Sequence, residues 1–386
     1  MNTWQSVKVA ELGRVVTGKT PKTAIAENYG GDVPFLTPSD DMSVKYVSKT
    51  AKTLTEKGLS EVKNTLLPPD AVCVSCIGSD LGKVVITTIN TVTNQQINSI
   101  IVDKERFDVS FVYYAMLILG KELNFISKTS TAVPIVNKSS FSSYEIQCPS
   151  LEQQKRISAI LSALDSKIEC NQKINDNLQQ QAATLFSNIY DRAETEVGFT
   201  DTIQILGGGT PKTGESLYWN GNVPFFTPKD VGTPYTLTTE KTITEEGLAH
   251  CNSRLYPLNT VFVTARGTVG KVGLSGIPMA MNQSCYALVG KDTHQLLVYF
   301  YTLKAVDRLK HKASGAVFDA ITTRDFETER ILKLSDADTK AFLDVVAPMF
   351  QTVLGNSIEN LRLANLRDAL LPKLMSGEID VSAVQL

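Results

Sequence analysis

Apolar residues return at every fourth and third position along two long stretches of the chain. Ile157, Leu161, Leu164, Ile168, Asn171, Asn175, Leu178, Ala182, Leu185 and Ile189 form one seam. Phe342, Val346, Met349, Val353, Asn356, Asn360, Leu363, Arg367, Leu370 and Leu374 form the other. Alternation by four and three over several heptads predicts two long helices whose apolar edges meet in a coiled coil. Because a globular segment separates them in sequence, the simplest pairing is antiparallel. At ~1.5 Å per residue, a helix over 152–192 extends about 60 Å. Pro348 lies near the start of the second seam and predicts a kink or break there. Asn171 and Asn175 in one seam match Asn356 and Asn360 in the other. A buried seam amide costs stability but fixes register, since only the correct alignment gives it a partner. The alternative leaves all four asparagines half-exposed beside the seam.

Outside the seams the pattern is mixed. Runs such as 71–74 and 260–264 are rich in β-branched residues and read as buried strands, whereas 108–125 and 295–312 read as helices. Turn signals at Gly30-Gly31-Asp32, Pro68-Pro69-Asp70, Gly207-Gly208-Gly209 and Asn220-Gly221-Asn222 punctuate the strands. Each globular part is therefore α+β, and it occurs twice. Thr20-Pro21-Lys22-Thr23 returns as Thr210-Pro211-Lys212-Thr213, and Val33-Pro34-Phe35-Leu36-Thr37-Pro38-Ser39-Asp40 as Val223-Pro224-Phe225-Phe226-Thr227-Pro228-Lys229-Asp230, both 190 residues on. The offset falls to 189 between 52–59 and 241–248, and to 188 between Asn94-Gln95 and Asn282-Gln283. It is 184 around Thr131-Ala132-Val133 and Gly315-Ala316-Val317, then 185 through the seams. Such drift marks loops of differing length on one repeated unit. The predicted organisation is a globular domain over 1–150, a central helix over 151–197, a second domain over 198–335 and a C-terminal helix over 336–386. A tandem repeat joined through an antiparallel coil acquires an approximate two-fold axis.

Composition then narrows the class. A chain of 386 residues with 42% hydrophobic content exceeds one ordinary core. The formal charge of -2 excludes a histone-like basic surface or an acidic disordered segment. That near-neutrality hides a division: +1 and +2 on the two globular segments, -2 and -3 on the two helices. A polyanion would meet the globular parts before the coil. The most apolar runs, such as 111–119 and 261–265, fall short of the ~20 residues of a membrane span, and the first residues lack a signal-peptide pattern. A cytoplasmic protein is expected, with Cys73, Cys76, Cys148, Cys170, Cys251 and Cys285 as reduced thiols.

Candidate chemistry is sparse. Gly78-Ser79-Asp80-Leu81-Gly82-Lys83 and Arg266-Gly267-Thr268-Val269-Gly270-Lys271 resemble phosphate loops only superficially, since valine follows the lysine and the glycine spacing is wrong. Both read as hairpin turns in which glycine supplies positive φ. Such a tip is also compatible with a DNA-facing loop, on which Arg266 and Lys83 or Lys271 could reach phosphates or base edges. Cys73 and Cys76, three apart on a strand, point to opposite faces and read as core thiols rather than metal ligands. The three histidines show no zinc spacing, and the acidic pair Asp40-Asp41 has Asp230-Val231 as its counterpart, which argues against a duplicated catalytic dyad. No Gly-x-Gly-x-x-Gly or Asn-Pro-Pro-Tyr signature supports a cofactor-dependent transferase. The chain reads as a recognition protein rather than a catalyst.

Several segments resemble the specificity (S) subunits of type I restriction-modification systems. Pro149-Ser150-Leu151-Glu152-Gln153-Gln154-Lys155-Arg156-Ile157 is similar to that family's Pro-x-Leu-x-Glu-Gln-x-x-Ile start of the central helix. Leu366 through Ile379 is similar to its C-terminal ending, and the repeated Thr-Pro, Val-Pro-Phe and Asn-Gln motifs to its target-recognition domains. The second copy departs where Leu334-Ser335-Asp336-Ala337-Asp338 replaces the helix-start motif. The resemblance implies two target-recognition domains, each reading half of an asymmetric bipartite sequence in double-stranded DNA, and a coil that sets the unread spacer and docks methyltransferase subunits. It also implies two methyltransferase (M) subunits and, in the full complex, two restriction/translocase (R) subunits. S-adenosylmethionine would then belong to M, ATP and Mg to R, and no cofactor or metal to this chain. Base reading needs polar side chains on loops. The candidates are Thr20, Lys22, Ser39, Ser79, Lys83, Gln95 and Gln96 in the first domain, and Thr210, Lys212, Lys229, Arg266, Thr268, Lys271 and Gln283 in the second. For Thr20-Pro21-Lys22 and its copy the alternative is a proline turn with a solvated lysine; for the Asn-Gln pairs it is an amide capping buried backbone. Two other readings remain: an S-type chain serving a fused methylase-nuclease, and a two-domain scaffold that does not bind DNA.

Overall fold

The computed structural model describes residues 4–129, 135–312 and 320–384. The chain divides into two compact units, Met1–Ser166 with Leu363–Leu386, and Lys167–Arg362. The boundary thus falls inside the long helices, and each unit takes part of both. The repeat motif around Thr131-Ala132-Val133 and Gly315-Ala316-Val317 lies outside the described residues.

In the first unit a five-stranded sheet runs in the order Gly13–Thr17, Ile97–Val102, Ala71–Ser75, Val84–Thr87, Tyr46–Val47, antiparallel except for its last pair. A three-stranded sheet places Tyr29–Leu36 between Lys52–Leu54 and Val92–Thr93, and Gln5–Lys8 pairs with Glu145–Cys148. The second unit repeats each sheet in the same order. Its five strands are Ile203–Gly207, Cys285–Gly290, Val261–Thr264, Val272–Ser275 and Tyr235–Thr236; its three are Lys241–Ile243, Trp219–Phe226 and Ala280–Met281; its pair is Thr195–Gly198 with Arg330–Lys333. The predicted helices form over Val109–Thr129 and Gln295–Lys312 and cover one face of each five-stranded sheet. Cys73 and Cys76 are both buried but belong to cores on opposite faces of their sheet, and burial pushes the Cys73 thiol up to about 12.

Both seams form helices of 40 residues, Leu151–Tyr190 and Asp336–Met375. Two details differ from the heptad reading. The central helix buries Ala182, Phe186 and Tyr190, not Leu185 and Ile189, because successive steps of four follow the true 3.6-residue turn rather than a strict 3.5 repeat. Pro348 neither ends nor divides the C-terminal helix. An interior proline costs about 3 kcal/mol, whereas each fully buried large apolar side chain returns roughly 1.5–3 kcal/mol. Phe342, Val346, Phe350 and Val353 are all buried around it, so packing outweighs the backbone penalty. This helix also carries an 18-residue window of mean hydropathy 1.2, which meets the length and composition of a membrane span where the sequence reading found none. The buried residues on it pack into the cores of the two units.

The helix starts explain the departure between copies. In the first unit Gln154, buried, accepts from Asp108 N–H at 3.0 Å and donates to the Pro149 carbonyl at 2.9 Å, tying the central helix to the start of helix Val109–Thr129. In the second unit the helix start rests on Ser335 as N-cap: Asp338 N–H donates to Ser335 Oγ at 3.1 Å and Ser335 Oγ–H to Asp338 Oδ2 at 2.7 Å. The C-terminal tail returns to the first unit, where Val381 is buried and Trp4 packs against Gly377.

Within the second unit the helices run antiparallel. Asn171 Nδ2 donates to Asn360 Oδ1 at 2.9 Å and to Glu359 Oε2 at 2.7 Å; Asn356 Nδ2 donates to Asn175 Oδ1 at 2.9 Å. Asn171 and Asn175 are buried, while Asn356 and Asn360 are partly exposed. Arg367, placed in the seam by spacing, belongs to the first unit and donates to Asp165 Oδ1 at 2.9 Å.

Candidate nucleic-acid interface

The repeated motifs fold into one group of loops in each unit. In the first, strand Tyr29–Leu36 runs into the turn Thr37–Asp40. One oxygen of Asp40 accepts from Thr37 N–H and Oγ1–H, both at 2.8 Å, and the other from Ala51 N–H at 2.7 Å. Against the end of the same strand lies the Asn-Gln turn, where Asn94 N–H donates to the Leu36 carbonyl at 3.0 Å. Asn94 Oδ1 accepts from Gln96 N–H at 3.1 Å, and Cys76 N–H donates to the Gln96 carbonyl at 2.8 Å. The loop joining strands Ala71–Ser75 and Val84–Thr87 is thereby held beside the turn. A cleft of about 430 Å³ opens between them, lined by Thr37, Ser39, Lys52, Gly78, Asp80 and Gln96 among others.

The second unit repeats this bonding residue by residue. Asp230 accepts from Thr227 N–H at 2.8 Å, Thr227 Oγ1–H at 2.6 Å and Glu240 N–H at 2.8 Å. Asn282 N–H donates to the Phe226 carbonyl at 3.0 Å, and Asn282 Oδ1 accepts from Ser284 N–H at 3.0 Å. The Ser284 carbonyl in turn accepts from Ala265 N–H at 2.8 Å and Arg266 N–H at 3.2 Å. Gly267 faces the turn, since a Cβ there would lie 3.9 Å from Pro228 Cβ. In both hairpins the glycines adopt positive φ, +64° and +89° at Gly78 and Gly82, +80° and +74° at Gly267 and Gly270, a region open to glycine without penalty.

The candidate residues separate into groups. Thr20 Oγ1–H donates to Gln95 Oε1 at 2.6 Å, and Thr210 makes the same bond to Gln283, so each pair bridges two loops with both partners at the surface. Ser39 and Gln96 meet at the cleft; the Ser79 side chain lies outside what the structure describes. Lys22 and Lys212 are exposed, and no described contact joins either to the hairpin tip. Lys83 is held by Asp80 at 2.7 Å, whereas Lys229 approaches Glu240 at 3.6 Å. Arg266, Thr268 and Lys271 are exposed together on the second hairpin. Asn94 and Asn282 bond backbone, while Gln95 and Gln283 face solvent, so the two residues of each Asn-Gln pair divide the work. Sequence reasoning missed Asp40 and Asp230 as the organisers of this site. Their signal was present, because Thr-Pro-x-Asp recurs intact and a carboxylate three residues after threonine is a turn-capping arrangement. The arrangement offers hydroxyl, amide and cationic groups on braced backbone, which suits recognition of base edges and phosphates.

Two segments, residues 1–180 and 195–332, match the model of the type I restriction modification DNA specificity domain. Over 408 aligned residues the chain is 25% identical to the type I restriction enzyme MjaIX specificity subunit of Methanocaldococcus jannaschii, covering 98% of this chain and 94% of that protein. It is 34% identical over 173 residues to the HindI specificity subunit of Haemophilus influenzae, covering 43% and 37%. Among solved structures, the type I restriction-modification S subunit from M. genitalium aligns over 97% of this chain and 96% of that one, with a TM-score of 0.58 and 16% identity, a likeness of fold.

Proposed function

This chain belongs to the type I restriction-modification DNA specificity family, and on that premise we propose that each of its two units reads one half of an asymmetric bipartite sequence in double-stranded DNA. The observation that carries this reading is the duplicated site: one bonding scheme, built around Asp40 and Asp230, that presents different side chains in the two copies. An identical scaffold holds the loops at equivalent places, while Ser39 against Lys229, or Asp80 against Thr268, gives each copy its own donors and acceptors. Two half-sites of unlike sequence follow.

The chain acts as the recognition component and performs no chemistry itself. Methyltransferase subunits, taken as two, bind along the helices and bring S-adenosylmethionine; restriction/translocase subunits, also two, join the full complex with ATP and Mg. The Asn171–Asn360 and Asn175–Asn356 pairs support a coil of fixed register, so that coil length sets the unread spacer between half-sites. The working compartment is the cytoplasm, where the DNA and these partners are. A fused methylase-nuclease would use the same reader, and the neighbouring genes distinguish the two systems.

The test is a methylome compared with and without this chain. Deletion should abolish methyladenine at one bipartite motif and leave others intact. An unchanged methylome in a strain whose M subunit is active would overturn the reading.

A further inference from the structure

The two hairpin tips carry opposite charge logic. In the first unit Ile77 stands where the second has Arg266, each forming the matched bridge, to Ile135 and to Ala320. The first tip is one residue longer, with Asp80 three residues before Lys83 as Thr268 is before Lys271. Asp80 holds Lys83 at 2.7 Å, so the first tip neutralises its own cation. No ion pair or side-chain hydrogen bond engages Arg266 or the Lys271 ammonium among the described residues, and both side chains are exposed.

Arg266 also differs from an ordinary surface arginine in how its backbone is held. Its N–H bonds the Ser284 carbonyl, it forms a bridge with Ala320, and the Ile321 N–H is fixed on the preceding Ala265 carbonyl at 2.9 Å. Behind it, Thr264 Oγ1 accepts from Lys271 N–H at 2.9 Å and donates to the Thr268 carbonyl, which closes the tip. The braced backbone needs no ordering on binding, and the planar fork of a free guanidinium matches a planar pair of acceptors with two parallel hydrogen bonds. Guanine presents such a pair, O6 and N7, in the major groove.

We propose that Arg266 reads a guanine, through O6 and N7, in the half-site bound by the second unit, and that the first hairpin contributes no equivalent contact. This rests on the two-half-site reading above. It makes Arg266 a specificity-determining residue and the hairpin tip a source of the target's asymmetry.

The test uses the full chain assembled with its methyltransferase subunits and the bipartite duplex defined by its methylome. Each guanine of the motif is replaced singly by 7-deazaguanine, which pairs normally but lacks the N7 acceptor. For the wild-type complex, one replacement in one half should weaken binding ~3–30-fold, part of the value of a bidentate base contact because O6 remains. Arg266→Ala should be indifferent to that same replacement and should methylate sites carrying any base there, the other half remaining strict. The proposal is overturned if Arg266→Ala keeps every motif position strict and weakens all duplexes alike while its salt slope falls by ~1, the signature of a phosphate contact. It is equally overturned if the relaxed position is not guanine. Should Arg266→Ala fail to assemble, the wild-type replacement series with Arg266→Lys decides: no N7-sensitive guanine removes the proposal. Failure of the underlying reading looks different, because the wild-type complex would then show no bipartite motif.

Discussion

In the first unit Asp165 on the central helix bonds Arg367 on the C-terminal helix at 2.9 Å and Tyr114 of the domain at 2.5 Å. Lys45 inserts beside them, donating to Ser162 Oγ at 2.8 Å and lying 4.6 Å from the centre of the Tyr114 ring. In the second unit the repeat brings Phe350 to the place of Asp165, Ala182 to that of Arg367, Phe300 to that of Tyr114 and Pro234 to that of Lys45. There Phe350 packs on Tyr299, Phe300 and Tyr235, with ring centres 5.7, 5.6 and 6.4 Å away, and Ala182 is fully buried. One backbone plan therefore seats the helix pair on its domain by an ion and hydrogen-bond network in one unit and by aromatic packing in the other. The network constrains geometry, since each donor has a fixed direction. Its net stability is modest, because desolvating the charges offsets most of their attraction. The aromatic junction carries no such offset and should be the stiffer in free energy.

Carrying the acid of one junction into the other tests this most severely. Phe350→Asp buries a carboxylate among rings with no cation beside it and removes a large apolar side chain, so the second unit should lose about 3–5 kcal/mol. Each unit holds one of the two tryptophans, Trp4 and Trp219, so single Trp→Phe backgrounds report the units separately in urea unfolding. The Trp219 transition should move to much lower urea. An unchanged midpoint would mean that the aromatic cluster does not hold the junction.

Breaking the network from one side should cost less, about 2 kcal/mol in the Trp4 transition for Asp165→Ala, as Arg367 and Tyr114 lose their shared acceptor. The variant Asp165→Phe/Arg367→Ala copies the second unit's pair and should recover at least half of that loss. If the two substitutions in combination cost the sum of each alone, the junctions are not interchangeable and the comparison fails.

Much of this was legible beforehand, and what was not has physical causes. The repeat, the α+β domains and the helix pairing follow from motif spacing and from periodicity, which burial imposes on any amphipathic helix. The shift from Leu185 and Ile189 to Phe186 and Tyr190 escaped, because a heptad template drifts against a 3.6-residue turn and apolar residues occupy both alternatives. The persistence of the helix through Pro348 escaped because it depends on four buried neighbours rather than on local propensity. The hairpin loops were readable as glycine turns, but the grip of Asp80 on Lys83 needs the turn's actual path. The junction was the least legible part. Asp165 and Arg367 lie 202 residues apart, and the seam spacing that places Arg367 says nothing of its partner.

The smallest effect comes from pH, and its sign separates the junctions. Burial among Tyr46, Tyr113, Tyr114 and Ser162 lowers the Lys45 ammonium to about 8, against the opposing pull of Asp165 and Asp108. In the unfolded chain the same lysine stays protonated to about 10.4. Between pH 8 and 10 the unfolded state therefore binds more protons than the folded one, and stability of the first unit should rise with pH by roughly 1–2 kcal/mol. Tyr114 and Tyr113, whose hydroxyls burial raises above their ordinary value, stay protonated in the folded state. Their opposing loss begins only as unfolded tyrosine ionises near pH 10, which closes the window from above. The second unit has Pro234 at the matched position and no lysine to discharge, so its Trp219 transition should lack this rise. Urea midpoints at pH 7.5, 8.5 and 9.5 in the two single-tryptophan backgrounds measure the difference, and Lys45→Met should flatten the Trp4 curve toward that of Trp219. A Trp4 midpoint that stays level or falls across this window would show that Lys45 keeps its proton through the network, making the ion contacts stronger than the burial that surrounds them.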